Sequence, residues 1–500
     1  MAELKYYAKQ SNPVIMEHPE IAGRFEEIKI LNQILASDEA EFIAVYGRRR
    51  IGKTYLVKKF FSKHICFALT GMFRVPLQNQ LRNFAKSLAK SSRTNIIPPT
   101  PVSWQEAFFQ LENYLESPLI KKKRNKQVIF LDELPWLNSP RSGFLPSLEN
   151  FWNTFGSQKK NLVLVVCGSA ASWMIQKIVR AKGGLHNRLT RQIRLLPFTL
   201  KETEDYFKFR KIKLTRYQIV QLYMVFGGVP FYLKQVERGM SVTQVIDRAC
   251  FTKDGTLRYE FDKLYTSLFD QSNYHEKIVE LLSHKNKGLT RNEILKSVGI
   301  KTGGTATTIM NELQESGFID SYIPFGKSSK DQLFKLSDEF TKFYFDWIEP
   351  LGKRTPGLGF WQKKQNQPAT NSWAGFSFES LCLKHVSQIK KALGIALVES
   401  GESTWRYIPV GNEKEEGSQI DLIIDRKDAT INLCEIKFAG KPFVVDAEYA
   451  AKLRRRREVF VTQTGTRKSV LNTFITSFGT HQNEHALEAV DNSIQMEELF

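Results

Sequence analysis

One run limits what this chain can fold into more than any other: Val45-Tyr46-Gly47-Arg48-Arg49-Arg50-Ile51-Gly52-Lys53-Thr54-Tyr55-Leu56, which fits G-x-x-x-x-G-K-[ST]. The pattern works only when a strand leads into the loop and a helix leaves it. Successive backbone N–H groups and the positive end of the helix then converge on one phosphate. Both flanks are present, as the buried-strand pattern "EFIAVYG" before the loop and the helical pattern "KTYLVKKFF" after it. The loop residues Gly47, Arg48, Arg49, Arg50, Ile51, Gly52, Lys53, Thr54 and Tyr55 are therefore expected to cradle a nucleoside triphosphate. Lys53 would reach the β- and γ-phosphates, and the Thr54 hydroxyl would ligate Mg²⁺. The arginines fill the variable positions, so they are expected to face a nucleic acid or a partner subunit.

A second carboxylate must complete such a metal site. "VIFLDE" places Asp132 at the end of an apolar strand, where it can hold the Mg²⁺ shell, with Glu133 beside it to orient and deprotonate a water. An acidic pair ending a strand can also cap a helix, but its position some 80 residues after the phosphate loop favours the metal role.

Composition narrows the partners. The formal charge of +20 predicts attraction to polyanions and supports a nucleic-acid partner without identifying which one, although solubility alone would also account for it. The runs "KKKR" (121 to 124) and "RRRR" (454 to 457) read as solvated faces. Cys66, Cys167, Cys250, Cys382 and Cys434 are widely spaced, contain no Cys-x-x-Cys pair, and read as reduced core thiols. No apolar run approaches the roughly 20 residues of a membrane span. "MAELKYYAKQ" lacks the apolar core of a signal peptide, so no membrane partner and a cytoplasmic location are expected.

Further apolar runs, "QVIFLDE" and "NLVLVVCGS", alternate with helical stretches and predict a parallel sheet covered on both faces. From about 200 to 265 the pattern is helical, broken at "FGGVP". "HEKIVELL", "TRNEILKSVG" and "TATTIMNELQESGFI" then predict three short helices, and "DSYIPFGKSSKDQLFKLS" a β-hairpin. That is the layout of a winged helix-turn-helix, with its third helix from about Thr305 to Ser316 presenting Thr305, Thr307, Thr308 and Asn311. Such a module can read DNA or serve only as packing.

The last domain supplies a second acidic set. "SQIDLIID", a turn at "RKDAT" and "INLCEIKF" predict a β-hairpin carrying Asp421, Glu435 and Lys437, with Glu435 and Lys437 on one face. Asp421 and Glu435 would bind Mg²⁺, Lys437 would steady the attacking water, and Glu379 on a preceding helix would complete the shell of a phosphodiester-cleaving centre. An ordinary hairpin with solvated charges, or a nuclease-like fold that binds without cutting, would show the same residues. His481-Gln482-Asn483-Glu484-His485 matches H-x-x-E-H, but it sits in a polar tail too short to build a substrate cleft and is not read as a zinc site.

The first part resembles the AAA+ ATPases, and more narrowly an archaeal and bacterial ATPase family that carries a winged helix and a nuclease-like C-terminal domain. The matching stretches are "GRFEEIKIL", "YGRRRIGKT", "FLDE", "CGSAAS", "LHNRLTRQIRLLPF" and "FGGVPFYL", and the likeness spans roughly residues 20 to 440. It implies ATP as the nucleotide, a sensor role for Ser169, and Arg188 as arginine finger, with Arg191 close enough to compete for that role. The C-terminal layout resembles the PD-(D/E)xK nucleases. The fold class implied is α/β: a P-loop NTPase parallel sheet with a helical lid, then a winged helix-turn-helix, then an α/β restriction-endonuclease-like domain. The expected divisions are an N-terminal extension (1–20), ATPase core (21–200), lid (201–265), winged helix (266–350), linker (351–372), nuclease-like domain (373–475) and tail (476–500). Two functions remain open: an ATP-hydrolysing protein that acts on DNA with a Mg²⁺-dependent nuclease, or an ATP-dependent switch whose last domains bind DNA or protein without cleavage. A homo-oligomer is compatible with either.

Overall fold

Residues 20–93, 96–121, 125–180, 187–269, 272–409 and 417–500 are described by a computed structural model. The N-terminal stretch 1–19 and most of the run "KKKR" lie outside them. The chain divides into two compact units, Met1–Pro197 and Phe198–Phe500.

The first unit is built on strands β1 (Glu41–Tyr46), β2 (Ile65–Thr70), β3 (Gln127–Asp132), β4 (Leu162–Gly168) and β5 (Arg191–Arg194), all parallel, in the order β2-β3-β4-β1-β5. The apolar runs are continuous because both faces are covered. Phe42 and Ala44 of β1 point into one core with Ile129 and Leu131 of β3, while Ile43 and Val45 point into another with Val128 and Phe130. Helices α1 (Phe25–Ala36) and α2 (Lys53–Phe60) close the second face; α3 (Leu77–Ser92), α4 (Trp104–Leu115) and α5 (Phe144–Thr154) close the first. Each fully buried Ile, Val or Phe on these strands contributes about 1.5–3 kcal/mol. The strand order places β4 between β1 and β3, so whatever follows β4 lies between the phosphate loop and the acidic pair.

The second unit opens with helices α6 (Leu200–Phe209) and α7 (Arg216–Phe226), each started by a reciprocal capping box, Thr199 with Glu202 and Thr215 with Gln218. Helices α8 (Asn273–Ser283), α9 (Arg291–Val298) and α10 (Gly304–Glu315) follow, with a small antiparallel sheet of β6 (Leu289–Thr290), β7 (Ile319–Tyr322) and β8 (Leu333–Leu336) in the order β6-β8-β7. On α10, Ala306, Ile309, Met310 and Leu313 are buried, whereas Thr305, Thr307, Thr308 and Asn311 are exposed. The loop between β7 and β8 is pinned: the Phe325 N–H donates to Thr404 O at 2.9 Å and its ring packs on Phe460.

Beyond it, β9 (Ser400–Tyr407), β10 (Ser418–Arg426), β11 (Thr430–Lys437), β12 (Ser469–Thr476) and β13 (Asn492–Gln495) form a mixed sheet in the order β13-β12-β11-β10-β9. Strands β9 to β11 pair antiparallel, and β11 to β13 parallel. Two sequence expectations need correction. The stretch 351 to 372, read as a linker, contains helix α11 (Phe360–Lys364), whose Trp361 is buried among the rings of Phe251, Phe343, Trp347 and Trp373. The stretch 476 to 500, read as a tail, supplies β13 to the sheet and buries Met496 and Leu499. Among the described residues no helix is long and apolar enough to cross a membrane.

Candidate functional site

The loop after β1 turns through positive φ at Gly47 (146°), Arg50 (72°) and Gly52 (90°) before α2 begins at Lys53. A Cβ on Gly47 would sit 2.3 Å from the Leu195 carbonyl oxygen, so the loop can lie against the exit of β5 only with glycine there. Lys53 is buried, and its Nζ donates back to the Gly47 and Arg48 carbonyls at 2.8 and 2.7 Å. Burial pushes its pKa down, opposed by Asp132 and Glu133 nearby. A phosphate anion entering the loop would meet an ammonium already held within it.

Thr54 Oγ1 donates to Asp132 Oδ2 at 2.9 Å, which joins the first turn of α2 to the end of β3 across 78 residues of sequence. Glu133 takes a left-handed backbone (φ 49°), unusual for a side-chain-bearing residue. Its carboxylate is thereby turned towards the residue after β4, where Ser169 Oγ donates to Oε1 at 2.8 Å and Ser169 N to Oε2 at 3.3 Å. Both carboxylates thus receive uncharged donors.

The arginines behave differently from expectation. Arg48 is buried and presents nothing to a nucleic acid; Arg49 lies over the Trp136 ring at 5.8 Å; only Arg50 is exposed. The loop lies against the exit of β5 at Gly47, and this path keeps the next residue, Arg48, under cover. Ile51 joins the core, and the exposed Tyr55 donates its hydroxyl to Glu20 O at 2.7 Å. Arg188 is exposed in the turn before β5, and Arg191 is exposed at its start. A residue that sequence reasoning missed is Arg24. Buried, it donates to Leu196 O at 2.7 Å and to Ile51 O at 3.0 Å, tying the phosphate loop to the chain after β5. The only sequence signal was its place in "GRFEEIKIL".

Residues 22–236 match the family described as "ATPase domain predominantly from Archaea". That stretch holds both the phosphate loop and the acidic pair after β3. Over 421 residues the chain is also 28% identical to an uncharacterized protein of Methanocaldococcus jannaschii, covering 83% of this chain and 87% of that one. Among solved structures it is similar to a Walker-type ATPase of Pyrococcus abyssi (TM-score 0.47, 14% identity, 65% of this chain and 96% of that one). It is likewise similar to the ORC2 protein of Aeropyrum pernix in ADPNP–ADP complexes (TM-score 0.42, 15% identity, 70% of this chain and 96% of that one). The matched stretch runs past Pro197 and includes the residues of α6 and α7.

The C-terminal carboxylates have other surroundings. Asp421 on β10 and Glu435 on β11 lie on paired strands, and the Ile436 N–H approaches Asp421 Oδ2 at 3.4 Å. Glu435 is buried and accepts from three groups: Lys437 Nζ at 2.8 Å, the Tyr449 hydroxyl and Arg456 Nη1. Tyr449 and Arg456 lie on α13 (Ala447–Thr464), and neither was singled out from sequence. Glu379, on α12 (Pro368–Lys384), is engaged by Lys335 Nζ of β8 at 2.8 Å. Burial, then the Glu435 and Glu379 charges, push Asp421 up to about 7 against the pull of Lys437. Burial would raise Glu435 too, but Arg456, Lys437 and Tyr449 outweigh it and hold it down at about 2.

Among the described residues no three His, Cys, Asp or Glu side chains group so as to hold a metal ion. The H-x-x-E-H run is not a helical pair: helix α14 (Glu484–Ala489) begins after His481, which instead lies beside the bridge of Phe443 with Thr480.

Proposed function

We propose that the chain is an AAA+-like ATPase that acts on DNA. The observation that carries the ATPase half is the contact of Thr54 with Asp132 at 2.9 Å, with Glu133 held one strand away by Ser169. These hard oxygens fit Mg²⁺, which when bound would neutralise charge on the β- and γ-phosphate oxygens. Thr54 and Asp132 would hold the ion, Lys53 would bind phosphate, and Glu133 would accept a proton from water once it leaves Ser169. Arg188, exposed, is our candidate finger for the nucleotide of a second copy.

The DNA half rests on the +20 charge and on the exposed polar face of α10, which we read as the recognition helix of a winged helix-turn-helix. Thr305, Thr307, Thr308 and Asn311 would contact phosphates or base edges. In this reading Asp421, Glu435 and Lys437, with Glu379, form a Mg²⁺-dependent nuclease centre of the PD-(D/E)xK kind. A second reading, an ATP-dependent switch that binds DNA without cleavage, is favoured by one observation: Glu435 is already neutralised by Arg456 and Lys437.

The test incubates the full chain with plasmid, ATP and Mg²⁺ beside its Lys437→Ala variant, and measures ATP turnover with and without DNA. Nicking lost in Lys437→Ala supports the nuclease; DNA-stimulated turnover without nicking supports the switch. No affinity for ATP at millimolar Mg²⁺ would sink both.

A further inference from the structure

The helix α13 carries four successive arginines, 454 to 457, and only one is turned inward. Arg454 pairs with Glu488 at the surface, and Arg455 and Arg457 are exposed. Arg456, its side chain one-tenth exposed, reaches back 21 residues to Glu435. It engages through Nη1 alone, which also approaches Gln419 O at 3.5 Å. Its Nε and Nη2 are buried and find no hydrogen-bond partner among the described residues. A buried donor left unpaired is unfavourable, so this guanidinium is held less firmly than a two-pronged pair would be.

The surrounding charges sharpen the point. Three carboxylates, Asp421, Glu435 and Glu379, face three cations, Lys437, Arg456 and Lys335, so the fully ionised cluster is neutral. A divalent cation needs an excess of negative oxygen ligands, and here the oxygen it would take on Glu435 already carries the guanidinium. As arranged, the carboxylates do not fit a metal.

We propose that Arg456 and a divalent cation compete for Glu435, so that Arg456 is the latch that keeps the C-terminal carboxylates closed to metal. The proposal rests on reading Asp421 and Glu435 as metal ligands. Without Arg456 the cluster becomes net −1, three carboxylates against two lysines, and Glu435 Oε2 is released beside Asp421.

The test is Mn²⁺ binding to the nucleotide-free full chain, followed by titration calorimetry and by the loss of the free-ion paramagnetic resonance signal. Arg456→Gln should bind one Mn²⁺ about tenfold tighter than the wild type, and the gain should vanish in Asp421→Asn/Arg456→Gln. Equal affinity in Arg456→Gln and wild type overturns the latch, as does a gain that survives Asp421→Asn. Should Arg456→Gln fail to fold, Arg456→Met, which keeps the aliphatic stem and loses the charge, should bind Mn²⁺ about tenfold tighter as well, and no gain there overturns the proposal equally. Plasmid nicking by the same variants separates the two ideas. Mn²⁺ gained without nicking defeats the nuclease reading and leaves the latch standing; Mn²⁺ not gained defeats the latch whatever happens to the plasmid.

Discussion

The acidic pair at the end of β3 and the acidic pair within β10 and β11 use the same side-chain types on buried strands, yet the first is held by neutral donors and the second by cations. Asp132 and Glu133 receive hydroxyl and amide donors, from Thr54, Ser169 and their own backbone, while Lys53 is turned onto carbonyls. Glu435 instead receives a guanidinium, an ammonium and a phenol. A carboxylate held by neutral donors keeps its charge available to an incoming cation, whereas one held by resident cations has spent it on the fold. Residue type and strand position therefore do not distinguish a site ready for metal from one already neutralised; the counter-charges do.

The largest expected effect lies in the first site. Glu133→Gln should keep nucleotide binding and lower ATP turnover by roughly a thousandfold, the scale of a lost general base, measured by phosphate release. Turnover near wild type would break the comparison, since Glu133 would then be as structural as Glu435. In the second site, Glu435→Ala leaves Arg456 buried without its hydrogen-bonded carboxylate and should lower unfolding stability by about 3–5 kcal/mol. A guanidinium chloride titration reads this, and a loss under about 1 kcal/mol would mean the pair is effectively solvated.

A buried neutral group gives the control. His385 accepts from Leu200 N and is bonded through Nδ1 to Leu381 O, so burial holds its pKa down at about 4. Because the folded value lies below the ordinary 6.5, the unfolded chain binds the extra proton first as pH falls. This contribution is complete above pH 6.5 and is lost progressively towards pH 4, by about 3 kcal/mol. His385→Asn should flatten that part of the stability profile, and an unchanged acid slope would show the proton goes elsewhere. The smallest effect is Arg454→Ala. Its pair with Glu488 is about half exposed, so the melting temperature should move by the equivalent of under about 1 kcal/mol, two residues from an arginine whose partner is worth several times more.

What was legible follows from the range over which each signal acts. Gly47, Gly52, Lys53 and Thr54 could be placed because a loop between strand and helix is a local arrangement, and Asp132 because continuous apolar runs announce a buried strand end. Ser169 came through a family likeness. Arg24 contacts Leu196 across 172 residues, and Arg456 is one of four identical neighbours, so no local pattern marks either. The linker and tail were misread because Gly, Pro and polar residues mask the few anchors, Trp361, Met496 and Leu499, that bury them.

By itself, then, the sequence determined a phosphate loop, its acidic partner and a basic chain, since these depend on residue order and composition. Only the tertiary structure decided which arginines face inward, which carboxylates keep their charge free, and which polar stretches are packed. Those outcomes depend on groups far apart in the chain meeting where water is excluded, and there an opposite charge at hydrogen-bond distance outweighs anything residue order can encode.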